Sequence, residues 1–171
     1  MEVFKYILPA FIVMMTAYLL FDKMILREEK KQKLGQEAEK KSGITTIRLR
    51  AYERLMLVLE RTNPETMVMH VIKPGMRCID FQTGILDFIR KEFEHNYSQQ
   101  IYVSDELWKS LTFTRANLVK LVNTAASHFK PDDPAAPMAE TIIRMYVEAG
   151  HNPTQLAIQL LKSETREQFL S

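Results

Sequence analysis

The sequence predicts an all-α fold: an N-terminal transmembrane helix, a charged stalk and a soluble bundle of four or five main helices. Three observations carry this. Residues Tyr6 to Phe21 form an uncharged, almost wholly apolar run, followed by a Lys/Arg-rich stretch. Beyond it, apolar residues recur three and four apart in stretches separated by Pro, Gly and Asn, the pattern of amphipathic helices. No alternating run of useful length appears, and no repeat at 34 or 40 residues stands out.

The first element rests on length. A helix crosses a hydrocarbon core about 30 Å thick with roughly 20 apolar residues. Val3 and Phe4 extend the run on one side, and Met24, Ile25 and Leu26 on the other. Lys5 and Lys23 can lay their stems along the helix and reach the headgroups. A cleaved signal peptide is the first competing reading, but no small-x-small site follows the run. A buried core helix is the second. Lys23, Arg27, Lys30, Lys31 and Lys33 crowd the C-terminal flank. By the positive-inside rule they place the bulk of the chain in the cytoplasm and the N-terminus outside. The expectation is therefore a membrane spanned once. The same five bases are candidate contacts for lipid headgroups.

The expected domains are an anchor over 1–26, a stalk over 27–43 and a cytoplasmic bundle over 44–171. In the stalk, Glu29–Lys33 and Glu37–Lys41 are i,i+4 pairs that favour helix. Only Leu26, Leu34 and Ala38 could serve a coiled-coil seam there. The net charge of +2 comes from the first 41 residues; the remainder balances 15 bases with 15 acids. A neutral body argues against nucleic acid as a partner. Cys78 is the single cysteine, so no intrachain disulfide forms, which fits a reducing compartment.

In the bundle, 44–61 is the first helix, with Ile47, Leu49, Tyr52, Leu55, Met56, Val58 and Leu59 as its apolar stripe. Asn63-Pro64 ends it and caps a short helix. Lys73-Pro74-Gly75 is a turn. The next helix runs over 79–96, with Phe81, Ile85, Phe88, Ile89 and Phe93 inward. Its start at Arg77-Cys78-Ile79-Asp80 lacks a hydroxyl cap. A polar loop follows. Ser104 then N-caps a long helix to Lys130, with Asp105 and Glu106 at the positive end of its dipole. Pro131 and Pro134 break the chain before a helix over 135–149, which Gly150 stops. Asn152-Pro153 starts a final helix, with Leu156, Leu160 and Leu161 inward.

The chemistry-bearing residues form no catalytic or cofactor signature. His70, His95, His128 and His151 have no metal-ligand spacing. Glu92, Glu94 and His95 cluster at a helix end, where a histidine suits the negative end of the dipole. Cys78 reads as a small packing residue, with a reactive thiolate at a helix start as the sharper alternative. No G-x-S-x-G, P-loop or G-x-G-x-x-G occurs. No catalytic residue, metal or cofactor is expected. The most specific stretch is EFEHNYSQQIYVS, residues 92–104. His95, Asn96, Tyr97, Gln99, Gln100 and Tyr102 within it are a candidate partner surface, or bond their own backbone across the top of the bundle.

The anchor, RLRAYERLMLVLER, Pro74-Gly75-Met76, EFEHNYSQQIYVSDELW and NTAAS together resemble a family of uncharacterised bacterial proteins. Its members are small, single-span, membrane-anchored helical proteins classed as a domain of unknown function. The resemblance spans nearly the whole chain. It implies a bacterial inner-membrane protein with a soluble helical domain, and it implies no activity.

The functional expectation is a membrane-anchored cytoplasmic interaction or scaffold protein. Its partners would be the lipid bilayer and an unknown protein or a second copy of itself. The alternatives are a membrane-tethered enzyme, with Glu92, His95 and Tyr97 as first suspects, and a binding module for anionic lipid.

Overall fold

The computed structural model describes residues 14–15, 23–24, 27–28, 43–150 and 153–169. The chain divides into two compact units, Met1–Thr45 and Thr46–Ser171. Among the described residues no helix is long and apolar enough to cross a membrane. That overturns the expected single-pass, N-out inner-membrane placement, since a span needs roughly 20 apolar helical residues. Of the expected anchor, only 14–15 and 23–24 fall among the described residues, and of the stalk only 27–28 and 43. The stalk pairs Glu29–Lys33 and Glu37–Lys41 lie outside them.

The second unit is all-α. Among the described residues from 43 on there are six α-helices, one 3-10 helix and no strand; the sole β feature there is an isolated bridge between Arg77 and Pro134. The first helix, α1, covers 43–61. It buries Ala51, Tyr52, Leu55, Val58 and Leu59, spaced three and four apart. Ile47 and Leu49, expected inward, are exposed. Seven apolar positions make a stripe wider than the face that packing covers. The helix closes at Thr62, whose buried hydroxyl donates to the Val58 carbonyl at 2.7 Å.

Asn63 accepts from the Glu65 amide and Pro64 opens α2, Pro64–Val71. The Pro74-Gly75 turn follows, with Gly75 at φ 74°, where a side chain would be strained. Helix α3, Cys78–Glu94, has no side-chain cap at Arg77. Its first amides are satisfied from afar instead. Cys78 N donates to the Asp133 carbonyl at 2.8 Å and Ile79 N to the Pro131 carbonyl at 3.0 Å. Arg77 pairs with Asp80 and Asp132, each at 2.9 Å. The stretch 131–133 therefore does the work of a cap residue.

Helix α4, Asp105–Ala126, packs against α3 and the two helices that follow it. It ends four residues short of the expected Lys130. Ser127, His128 and Phe129 turn out of the helix, with His128 and Phe129 donating three residues back to Ala125 and Ala126. Helix α5 is Ala135–Glu148 and α6 is Pro153–Phe169. In α6 Leu161 is buried and Leu160 half-buried, but Leu156 is exposed; Ala157 and Ile158 take the inner face in its place. One continuous core runs from Tyr52 through Phe81, Ile85, Leu111 and Leu118 to Ile142 and Leu161.

Candidate functional site

Residues 92–104 begin in the last turn of α3, inside the helix expected over 79–96, and the polar loop expected after it folds into a 3-10 helix, Tyr97–Tyr102. Local hydrogen bonds explain this. Asn96 N donates to the Phe93 carbonyl and Gln99 N to the Asn96 carbonyl, both at 3.0 Å. The Asn96 side chain donates to the Glu92 carbonyl at 2.8 Å. His95 Nδ1 lies 2.7 Å from the Lys91 carbonyl, which fixes its ring against its own helix end. The Asn96 side chain thus takes up a carbonyl that the closing helix leaves free, while His95 shares the Lys91 carbonyl with its own backbone amide at 3.1 Å.

The segment is also tied down at its far end. Ser104 caps α4 by accepting from Leu107 N at 3.1 Å. The same hydroxyl donates to Glu164 Oε2 at 2.5 Å, and Ser104 N donates to Glu164 Oε1 at 2.9 Å. Glu164 Oε1 accepts a third hydrogen bond from the Tyr52 hydroxyl at 2.6 Å. One carboxylate on α6 therefore holds α1 and the first turn of α4 together. Burial, and then the neighbouring Glu164, push the Tyr52 hydroxyl above the usual tyrosine range.

The six candidate surface residues separate on folding. Gln99 is 8% exposed, with its amide on Ser98 Oγ, and Asn96 is half-buried. Tyr102 is half-buried; His95 and Gln100 are exposed. Tyr97 is 38% exposed and held from two sides. Its ring meets Trp108 edge-to-face, centroids 6.2 Å apart. The Arg115 guanidinium donates to its hydroxyl and stands 5.8 Å from its ring centroid. Ile101, between them in sequence, is 72% exposed. Trp108 and Arg115 lie seven residues apart, two turns along one face of α4. Both are half-buried, and Trp108 also packs against the core; sequence reasoning missed both as partners of Tyr97, although their spacing was readable.

Glu92, His95 and Tyr97 form no catalytic cluster. Glu92 meets Arg61 at 3.5 Å, His95 its own helix and Tyr97 Arg115. None of the three lines the cleft between α4 and α5 or the groove between α1 and α6. Among the described residues no three His, Cys, Asp or Glu side chains gather where they could hold a metal ion. His70 stacks obliquely on Phe88, centroids 5.0 Å apart, and His128 is exposed. His151 lies outside the described residues. Cys78 is buried, with Sγ 3.3 Å from the Pro134 carbonyl. Burial, and then the charge of Asp133, raise its thiol above the ordinary value. Of the candidate lipid contacts, Lys23 and Arg27 are exposed; Lys30, Lys31 and Lys33 lie outside the described residues.

Compared with known proteins, residues 1–168 match the model of a family of unknown function, DUF7935. That match carries neither a membrane assignment nor a source organism. No curated protein and no solved structure matches the chain.

Proposed function

The chain belongs to the DUF7935 family of unknown function, and from that premise we propose that it is a helical interaction protein. Its contact surface is the 3-10 segment and the adjoining face of α4. The observation that carries this reading is the Tyr97–Trp108–Arg115 cluster beside exposed Ile101. Tyr, Trp and Arg are the residue types that dominate interface hot spots. Here they are fixed before any partner arrives, so binding loses little side-chain entropy.

The rest of the segment supports the same reading. Its backbone and its Asn96, Gln99 and Ser104 side chains are spent on holding the turn. What remains for a partner is a rigid aromatic edge, an aliphatic tip at Ile101 and the outward atoms of His95 and Gln100. A protein partner with an apolar pocket and a rim acceptor fits that chemistry.

Affinity capture of the full chain under several growth conditions tests the proposal, with Tyr97→Ala and Ile101→Asp beside the wild type. A partner recovered with the wild type and depleted about tenfold or more with either variant supports it. Recovery unchanged by both variants contradicts it.

A further inference from the structure

We propose that a second copy of this chain docks on the groove between α1 and α6, pairing Glu53 of each copy with Lys162 and Arg166 of the other. The two helices run antiparallel. Arg48 donates to Gln168 at 2.8 Å, Tyr52 meets Glu164 and Phe169, and Leu57 lies on the same groove as Leu161. Between them is an open groove of about 600 Å³. Its lining is mainly apolar, and Leu49 and Leu57 on the α1 side are exposed, Leu57 by 52%. A solvated apolar trough of this kind is a poor resting surface in water.

The charges select the occupant. Glu53 stands on the α1 wall, and Lys162 and Arg166 stand on the α6 wall. All three are exposed, and none makes a side-chain hydrogen bond or ion pair among the described residues. A two-fold axis along the groove lays α1 of one copy over α6 of the other. Each acidic wall then meets a basic wall, and each contact occurs twice. This is the self-complementarity an isologous interface requires. Leu49 and Leu57 of both copies fill the trough between the charged rims. The face shares no residue with the Tyr97 surface, so the two inferences stand or fall separately.

Sedimentation equilibrium on the full chain tests it, with E53K, the double variant K162E/R166E, and their equimolar mixture. The wild type is expected to sediment at about twice its 20.0 kDa chain mass. E53K presents only bases at the rim and K162E/R166E only acids. Each alone is expected to weaken self-association about tenfold or more, through like charges set face to face. Their mixture should restore dimer, because each basic wall then meets an acidic one. That rescue excludes misfolding as the cause of the loss. L57D, at another exposed position, reads the same face if a charge variant does not fold. A wild type that stays monomeric at every concentration overturns the proposal. So does a dimer indifferent to the charge reversals, a mixture that fails to rescue, or capture of a different protein through Glu53 with no self-association.

Discussion

The Tyr52 hydroxyl donates to Glu164 Oε1 at 2.6 Å, joining α1 to α6 across 112 residues of sequence. The same carboxylate receives both the amide and the hydroxyl of Ser104. A buried phenol, a helix cap and a carboxylate thus form one network, and its members should act as a unit. Tyr52→Phe removes one donor and is expected to cost about 1 kcal/mol. Glu164→Ala leaves Tyr52 and the Ser104 cap without their acceptor and should cost about 2–3 kcal/mol. Urea denaturation of both variants and the double variant checks this. The double should lose clearly less than the two single losses added together; simple additivity would show the network to be absent.

The raised Tyr52 hydroxyl gives stability a signature in alkali. Its folded state holds the proton more tightly than the unfolded state, whose tyrosine titrates near 10. The resulting stabilisation is complete below that value and is lost as pH rises above it toward the folded value. The unfolding free-energy gap between wild type and Tyr52→Phe should therefore shrink from about pH 9 to about pH 11. A gap that stays constant across that window would contradict the assignment.

Cys78 should be inert in the native protein. Its side chain is buried, its Sγ faces the Pro134 carbonyl, and its thiol is held protonated. Alkylation by iodoacetamide needs the exposed thiolate. Labelling should appear only as denaturant unfolds the chain, following the same transition as circular dichroism. Rapid labelling of the folded protein would restore the reactive-cysteine reading.

Gly84 on α3 stands against Val71, the last residue of α2. A Cβ placed there would lie 2.9 Å from Val71 Cγ1. Helix propensity alone favours alanine by about 1 kcal/mol. The clash should outweigh it, so Gly84→Ala is expected to destabilise by about 1–2 kcal/mol. With Val71→Ala, which removes the obstructing methyl, the same change should become stabilising. Thermal unfolding of the four variants in this cycle decides it.

Much of the fold could be read from the chain because its signals are local. Asn63-Pro64, Ser104 and Gly150 mark helix ends by backbone chemistry that needs no distant partner. The start of α3 could not be read this way. Its cap is made by the carbonyls of Pro131 and Asp133, more than 50 residues on. The inner faces were legible only where the apolar stripe was narrow. On α6, small Ala157 and branched Ile158 face the core while Leu156, equal in size to Ile158, does not, since the direction of packing is set by neighbours rather than by hydrophobicity. The candidate site divides in the same manner. Tyr97 stands out by its sequence context, but its contact with Arg115 arises only once the 3-10 helix is laid against α4.

The proposed function places a protein-binding surface on the Tyr97–Ile101 edge. Site-specific photo-crosslinking in cells tests it most directly, with a benzophenone side chain placed at Ile101 and, as control, at exposed Glu140 on α5. A discrete crosslinked protein is expected from position 101, lost on Tyr97→Ala and absent from position 140. Equal crosslinking from both positions, or none from 101, would contradict it.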